Sequence, residues 1–232
     1  MRCACGGRHS EFTMATAPYE LHSLPPVGRT RALRTLTRSL DALVAANDDP
    51  TVVAARTGML LSQVLQDPGL LEARHWEPAA DRYRQHLVHV HPDGRYSIVA
   101  LVWKPGQATP IHDHCCWCVV GVWRGHERET TYDLHEGGGA TSLVPSGSSE
   151  AHPGSVSVLV PPDEDIHRVE NAGSGLAISV HIYGADISRL GSSINRTFPD
   201  DLVRHPAQAR GPRVSWRALP AMSSAANVDL TS

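Results

Sequence analysis

Past about Pro78 the chain is cut into short runs rich in Val, Ile, Tyr and Trp. Turn signals such as Pro92-Asp93-Gly94, Lys104-Pro105-Gly106, Arg124-Gly125 and Gly137-Gly138-Gly139 punctuate them. The runs at Tyr96–Trp103, Val119–Trp123, Glu127–Leu134, Val156–Val160 and Leu176–Tyr183 are too short for helices and carry the β-branched and aromatic residues that suit strands. Regularly spaced short strands with turns between them describe a sandwich or barrel. Before them, Leu33, Leu36, Leu40, Leu43 and Val44 recur at helical spacing over Arg31 to Ala46, with Arg31, Arg34 and Arg38 on other faces. A second helix is expected from Thr51 to Gln66, ended by Asp67-Pro68-Gly69. The expected organisation is a disordered leader over 1–27, a helical segment over 28–76 packed on a small, mainly antiparallel barrel over 77–198, and a polar, Pro-rich tail over 199–232. No internal repeat is visible.

The chain has 232 residues, enough to bury a core without disulfides or structural metal. Its net charge of −3 gives no electrostatic reason to expect nucleic acid or an anionic membrane as partner. No apolar run approaches the length of a membrane-spanning helix, and the first residues lack a signal-peptide core. Of the five cysteines, Cys3 and Cys5 sit in the leader and Cys115, Cys116 and Cys118 crowd one segment, unlike a disulfide framework. A reducing cytoplasm is the simpler setting. Oligomeric state, monomer or homo-oligomer, is left open. Cys3, Cys5, His9 and His22 are within reach of a metal-binding pattern, but a leader without structure accounts for them better.

The chemistry-bearing residues lie in the barrel region. His112-x-His114 on a strand places two imidazoles on one face, because strand side chains alternate with period 2. His167, on a later strand, can complete a set of three neutral nitrogen donors, which suits a first-row divalent metal and leaves coordination positions open. With 14 histidines in the chain, an accidental His-x-His is a real alternative. Ser179, His181 and Tyr183 also share one strand face by period 2, although a strand turning alternate polar residues to solvent has the same pattern. Cys115 and Cys116 adjoin His114 and allow a closed His/Cys zinc centre as another reading.

Gly106 followed by His112-x-His114 resembles the first cupin motif, and Pro162, His167 and Asn171 resemble the second. The glutamate ligand usual in the first motif is missing, with Cys118 or Val119 in its place. That loss resembles the cysteine dioxygenase family of cupin thiol dioxygenases. The likeness extends through Tyr83–Leu87, Val102–Gly106, Trp117–Val122, Asp165–Val169 and Ser179–Ala185, so it covers roughly 75–190. The resemblance implies a cupin-type double-stranded β-helix, Fe(II) held by His112, His114 and His167, and a Ser179-His181-Tyr183 hydrogen-bonded set beside it. It implies a dioxygenase that uses O2 to convert a small thiol carboxylic acid, 3-mercaptopropionate or L-cysteine, to its sulfinic acid.

Gln85 stands where animal-type members place a carboxylate-binding arginine, and a glutamine there resembles the bacterial 3-mercaptopropionate dioxygenase branch. An amide offers neutral hydrogen bonds in place of a charge-assisted fork. Gln85, Tyr83 and Cys118 are therefore the expected substrate contacts, with Arg189 and Arg196 as candidates for a further carboxylate contact. Cys118 also matches the cysteine that crosslinks to the active-site tyrosine in animal-type members, which makes a Cys118–Tyr183 thioether a hypothesis. A non-redox cupin metalloenzyme, an isomerase or hydrolase, and a ligand-binding cupin without activity are the competing functions, since one fold hosts many.

Overall fold

The computed structural model describes residues 21–23, 30–137, 139–162 and 165–205. The cluster of Cys3, Cys5 and His9, the side chain of His22, and the tail beyond 205 lie outside the described residues. Within the expected leader, Leu21–Ser23 forms strand β1, paired in parallel with β2 (Arg84–Val90). Pairing through the main chain needs no hydrophobic run, so this three-residue edge strand left no trace in the sequence pattern.

The first helix is where its leucine spacing puts it: α1 spans Arg31–Ala46, and the hydroxyl of Thr30 caps it by accepting the Leu33 N–H at 3.1 Å. Helix α2 (Pro50–Val64) starts with proline at its first position behind the Asp49 cap, where a missing N–H is harmless. The strands that follow are β3 (Ser97–Trp103), β4 (Ile111–His114), β5 (Cys118–Arg124), β6 (Glu127–Gly137), β7 (Ala140–Ala151), β8 (Val156–Leu159), β9 (His167–Asn171) and β10 (Ala177–Tyr183). A short helix α3 (Ile187–Leu190) and strand β11 (Ile194–Phe198) complete the described chain.

These strands form two sheets, ordered β1-β2-β3-β10-β5-β8 and β11-β4-β9-β6-β7, antiparallel apart from β1. Facing each other, they make the cupin-type double-stranded β-helix. The alternation along β10 shows what is packed where. Ile178, Val180 and Ile182 join Leu33, Leu36, Leu40 and Leu61 in the core between the six-stranded sheet and the helices. Ala177 and Tyr183, on the other face, join Leu101, Trp103 and Val169 inside the barrel. All seven residues of β10 are buried. Its alternate polar residues therefore face the barrel interior and not solvent, because helices occupy the other face.

Strand β7 departs most from the sequence reading. Ala140–Ala151 holds Pro145, Gly147 and a run of serines, and most of its second half is exposed. It is a strand because it pairs with β6 along Glu127–Gly137, at the edge of its sheet, where a proline removes no needed ladder bond. β2 and β11 were likewise too short or too polar to stand out, whereas β4 and β9 were expected as strands through the histidines that they carry.

At Gly125 the chain leaves one sheet for the other. Its φ is +82°, and a Cβ there would come within 2.5 Å of the Ala177 Cα and the Leu176 carbonyl oxygen. Backbone cannot yield as a side-chain tip can. Gly125→Ala is therefore expected to destabilise by about 2 kcal/mol or more, from the left-handed backbone and the clash together. Gly175→Ala, where a Cβ meets nothing within 4 Å, should be near neutral. Urea unfolding of the two variants checks this.

Candidate metal centre and the facing hydrogen-bond chain

The five-stranded sheet contributes three histidines. β4 and β9 pair at His112↔His167, which sets these rings side by side, and period 2 brings His114 to the same face. Ring centroids are 4.8 Å apart for His112 and His114, 4.6 Å for His112 and His167, and 5.0 Å for His114 and His167. One nitrogen from each lies within 4.8 Å of the others, and all three residues are buried.

The protonation pattern fits a metal. His112 Nδ1 lies 2.9 Å from the Pro110 carbonyl, which only accepts, so Nδ1 carries the proton and Nε2 keeps its lone pair. His167 Nδ1 donates to the Glu129 carboxylate at 2.6 Å, leaving Nε2 buried without a partner. His114 Nδ1 also lacks a hydrogen bond, with Asp165 Oδ2 3.4 Å away. An orphaned buried nitrogen such as His167 Nε2 costs about 1–3 kcal/mol, and a divalent cation would satisfy it. Burial first, then the neighbouring imidazoles, push His112 well below its ordinary pKa; burial also lowers His114 despite Asp165. Both rings are held in the neutral, ligating form.

Glu129 and Asp165 were not singled out from the sequence. Burial opposes ionisation of Glu129, but its hydrogen bond and charge interaction with His167, with His114 beyond, outweigh it and hold the carboxyl below its usual value. Asp165 accepts the His114 backbone N–H at 2.7 Å, tying the approach to β9 onto β4. A carboxylate on an alternating strand reads as a solvent-facing residue, so no local signal marked Glu129.

The six-stranded sheet answers with a chain of hydrogen bonds. Tyr183 Oη lies 3.2 Å from His181 Nδ1, and His181 Nε2 lies 3.0 Å from Ser179 Oγ. Trp103 Nε1 donates to the same Ser179 oxygen at 3.2 Å. Burial lowers the His181 pKa to about 3 and pushes Tyr183 well above its ordinary value, so both are neutral. Between the two sheets is a small cavity, about 420 Å³ counting its open mouth. His112, His114, His167, His181 and Tyr183 line it, as do Tyr83 and Gln85.

The remaining expected residues divide. The Tyr83 ring packs on Trp103, with centroids 4.3 Å apart. On β5, Val120 lines the cavity, and Cys118 lies on the same face of the strand, beside Tyr183 and not among the lining residues. The fully buried Cys118 thiol sits 3.9 Å from His181 Nδ1, and the residue is the register partner of Tyr183. Arg196 is turned away to Asp113, with Nε 2.7 Å from Oδ2, and neither it nor Arg189 lines the cavity. Among the described residues, the cluster of potential metal ligands holds the three histidines and neither Cys115 nor Cys116. The Cys115 thiol approaches the Ser192 carbonyl at 3.9 Å instead. The closed His/Cys zinc centre therefore has no geometric support.

Comparison with known proteins adds a family match. The profile of the family described as cysteine dioxygenase type I matches residues 71–191. Among solved structures, a protein from Thermus thermophilus is 16% identical over 48% of this chain and 91% of its own, with a TM-score of 0.37. A conserved protein with a double-stranded β-helix domain from Klebsiella pneumoniae is 16% identical over 54% and 93%, with a TM-score of 0.36. A cupin superfamily protein from Desulfitobacterium hafniense is 14% identical over 52% and 89%, also at 0.36.

Beside this site, Glu127 is buried, and burial raises its pKa from 4.5 to about 7 against the pull of Ser179. A raised folded-state value means that its stabilising share is complete below pH 4.5 and lost as pH climbs through about 7. Glu127→Gln removes that linkage. In the metal-free protein, the stability of the variant relative to wild type should grow by on the order of 3 kcal/mol across that window. Urea unfolding over a pH series reads it; a flat difference would mean the carboxyl titrates normally.

Proposed function

Because this chain belongs to the cysteine dioxygenase type I family, we propose that it is an Fe(II)-dependent thiol dioxygenase that converts a small thiol carboxylic acid to its sulfinic acid with O2. The observation that carries this reading is the meeting of three buried histidines, whose ring nitrogens converge, with the Ser179-His181-Tyr183 chain across one small cavity. His112, His114 and His167 hold the metal from one side, which suits a centre with open positions. Iron held there would supply Lewis-acid and redox chemistry, lowering the pKa of a coordinating thiol and activating O2 for transfer to sulfur.

The chain's own residues do the rest. Leu101, Val120 and Val169 line the cavity with apolar surface and keep water from the reacting atoms. Tyr183 presents its hydroxyl to the cavity, and His181 and Ser179 fix its orientation. Gln85 and Tyr83 hold the carboxylate end of the substrate by neutral hydrogen bonds. Among the described residues lining the cavity there is no Arg or Lys, and no Asp or Glu to pair with a substrate ammonium group. An unpaired buried ammonium is costly, so 3-mercaptopropionate, which lacks one, is favoured over L-cysteine. The Cys118–Tyr183 thioether remains a proposal supported by their register, and intact mass with a peptide map tests it.

Oxygen uptake by anaerobically iron-loaded protein, given 3-mercaptopropionate, L-cysteine or cysteamine, tests the reaction. The expected result is fastest uptake with 3-mercaptopropionate and a product heavier by two oxygen atoms. No uptake with any thiol, despite bound iron, would favour a non-redox or ligand-binding cupin. His167→Ala should abolish iron loading and turnover together. Tyr183→Phe should keep iron and slow oxidation by on the order of 10²-fold; unchanged turnover would remove the tyrosine from the mechanism.

A further inference from the structure

Glu127 enters the barrel from β6 with the same parity as Glu129, two residues on. It is 2% exposed, and its Oε1 has no hydrogen-bond partner. Its register neighbours, Asn171 on β9 and Ala151 on β7, carry no charge. From its own strand it feels Glu129; from β10 it meets the Ser179 hydroxyl, with His181 one link further. The carboxyl therefore stands at the far end of the chain that begins at Tyr183.

Counting protons along this chain leaves two arrangements. Ser179 Oγ has one proton and two lone pairs, and the Trp103 ring N–H, which can only donate, takes one lone pair. The other lone pair and the proton are divided between His181 Nε2 and Glu127. If Glu127 is protonated it donates to Ser179, and Ser179 donates to His181 Nε2. His181 Nδ1–H then donates to the Tyr183 oxygen, whose O–H turns away from the ring toward the cavity, where Ser193 on the wall is also within its reach. If Glu127 is ionised every link reverses: His181 Nε2–H donates to Ser179, and Tyr183 turns its O–H back onto Nδ1.

We propose that Glu127 is a positioning residue that sets the direction of this hydrogen-bond chain, and through it whether Tyr183 offers the cavity a donor or an acceptor. The inference rests on the reading of the site given above. Passing one proton at each link, from Glu127 through Ser179 and His181 to Tyr183, delivers one proton to the cavity. It leaves Glu127 ionised and the other three groups neutral, with no redox change. Run backwards, the same steps carry the proton of an incoming thiol to Glu127. The position of the carboxyl near neutrality, about 7, means both arrangements are reachable at working pH, while the low value of His181, about 3, keeps its ring to a single proton.

The test reads the His181 tautomer by nitrogen NMR in metal-free, histidine-labelled protein. In wild type the ring proton is expected on Nδ1 below neutral pH and on Nε2 above it. In Glu127→Gln, whose amide can always donate to Ser179, it should stay on Nδ1 at both. Iron-loaded wild type is expected to lose kcat as pH rises through neutrality, and the iron-loaded variant is expected to show no such fall. A wild-type tautomer that ignores pH, or a Glu127→Gln protein that titrates like wild type, would overturn the inference. Should the variant fail to fold, infrared spectra of wild type with carboxyl-labelled glutamate serve instead: a buried acid band lost across neutral pH supports it, and no such band overturns it. Oxygen uptake separates the two levels. Uptake with an unresponsive tautomer defeats this inference alone, whereas a responsive tautomer without uptake defeats the proposed reaction.

Discussion

The pairing of β4 with β9 at His112↔His167 is the contact on which the site depends. Strand side chains alternate faces, so a slip of one residue here would turn each imidazole from the barrel interior to the other side of the sheet. The register is secured from several directions. Asp165 holds the His114 backbone N–H, and the outward Asp113 is clamped by Arg196 on β11, whose backbone N–H and guanidinium both reach it at 2.7 Å. Asn171, at the end of β9, donates to the Trp103 carbonyl on the opposite sheet at 3.0 Å. The two sheets are thus tied close to the cavity that they share.

A second layer of the same design is the placement of carboxylates behind the polar residues that face the cavity. β6 sends Glu129 to His167 and Glu127 to the Ser179 end of the facing chain. Two like charges on alternate positions of one strand resist joint ionisation. The pairing with His167 favours the charge on Glu129, and burial leaves the proton on Glu127 until near neutrality. One strand therefore supplies an anion to the candidate metal ligands and a proton-holding group to the hydrogen-bond chain.

The legible parts of this molecule were those written in local periodicity. The leucines of α1 recur every three to four residues and face one core, and the apolar runs of β3, β5 and β10 matched buried strands to within a residue or two. His112-x-His114 and Ser179-x-His181-x-Tyr183 were legible for the same reason, as period 2 alone places each set on one face. What local pattern could not carry was pairing across the barrel. β7 is polar and holds a proline, and only its ladder with β6 makes it a strand. Glu127 and Glu129 carry no local mark of their burial, because nothing nearby in sequence announces the strands that cover them. Cys118 is buried as a neighbour of His181, and its distance from the cavity wall depends on the β5 register, which sequence does not show.

The central claim is that three imidazoles, and no protein thiolate, form the metal centre and leave room for the substrate's sulfur. X-ray absorption at the iron edge of the Fe(II)-loaded protein, before and after anaerobic addition of 3-mercaptopropionate, tests it most directly. The account predicts nitrogen and oxygen neighbours alone before the thiol is added and one new sulfur neighbour afterwards. Sulfur already present without substrate would place a cysteine of the Cys115-Cys116 pair on the metal and contradict the account, as would an iron environment that the thiol leaves unchanged.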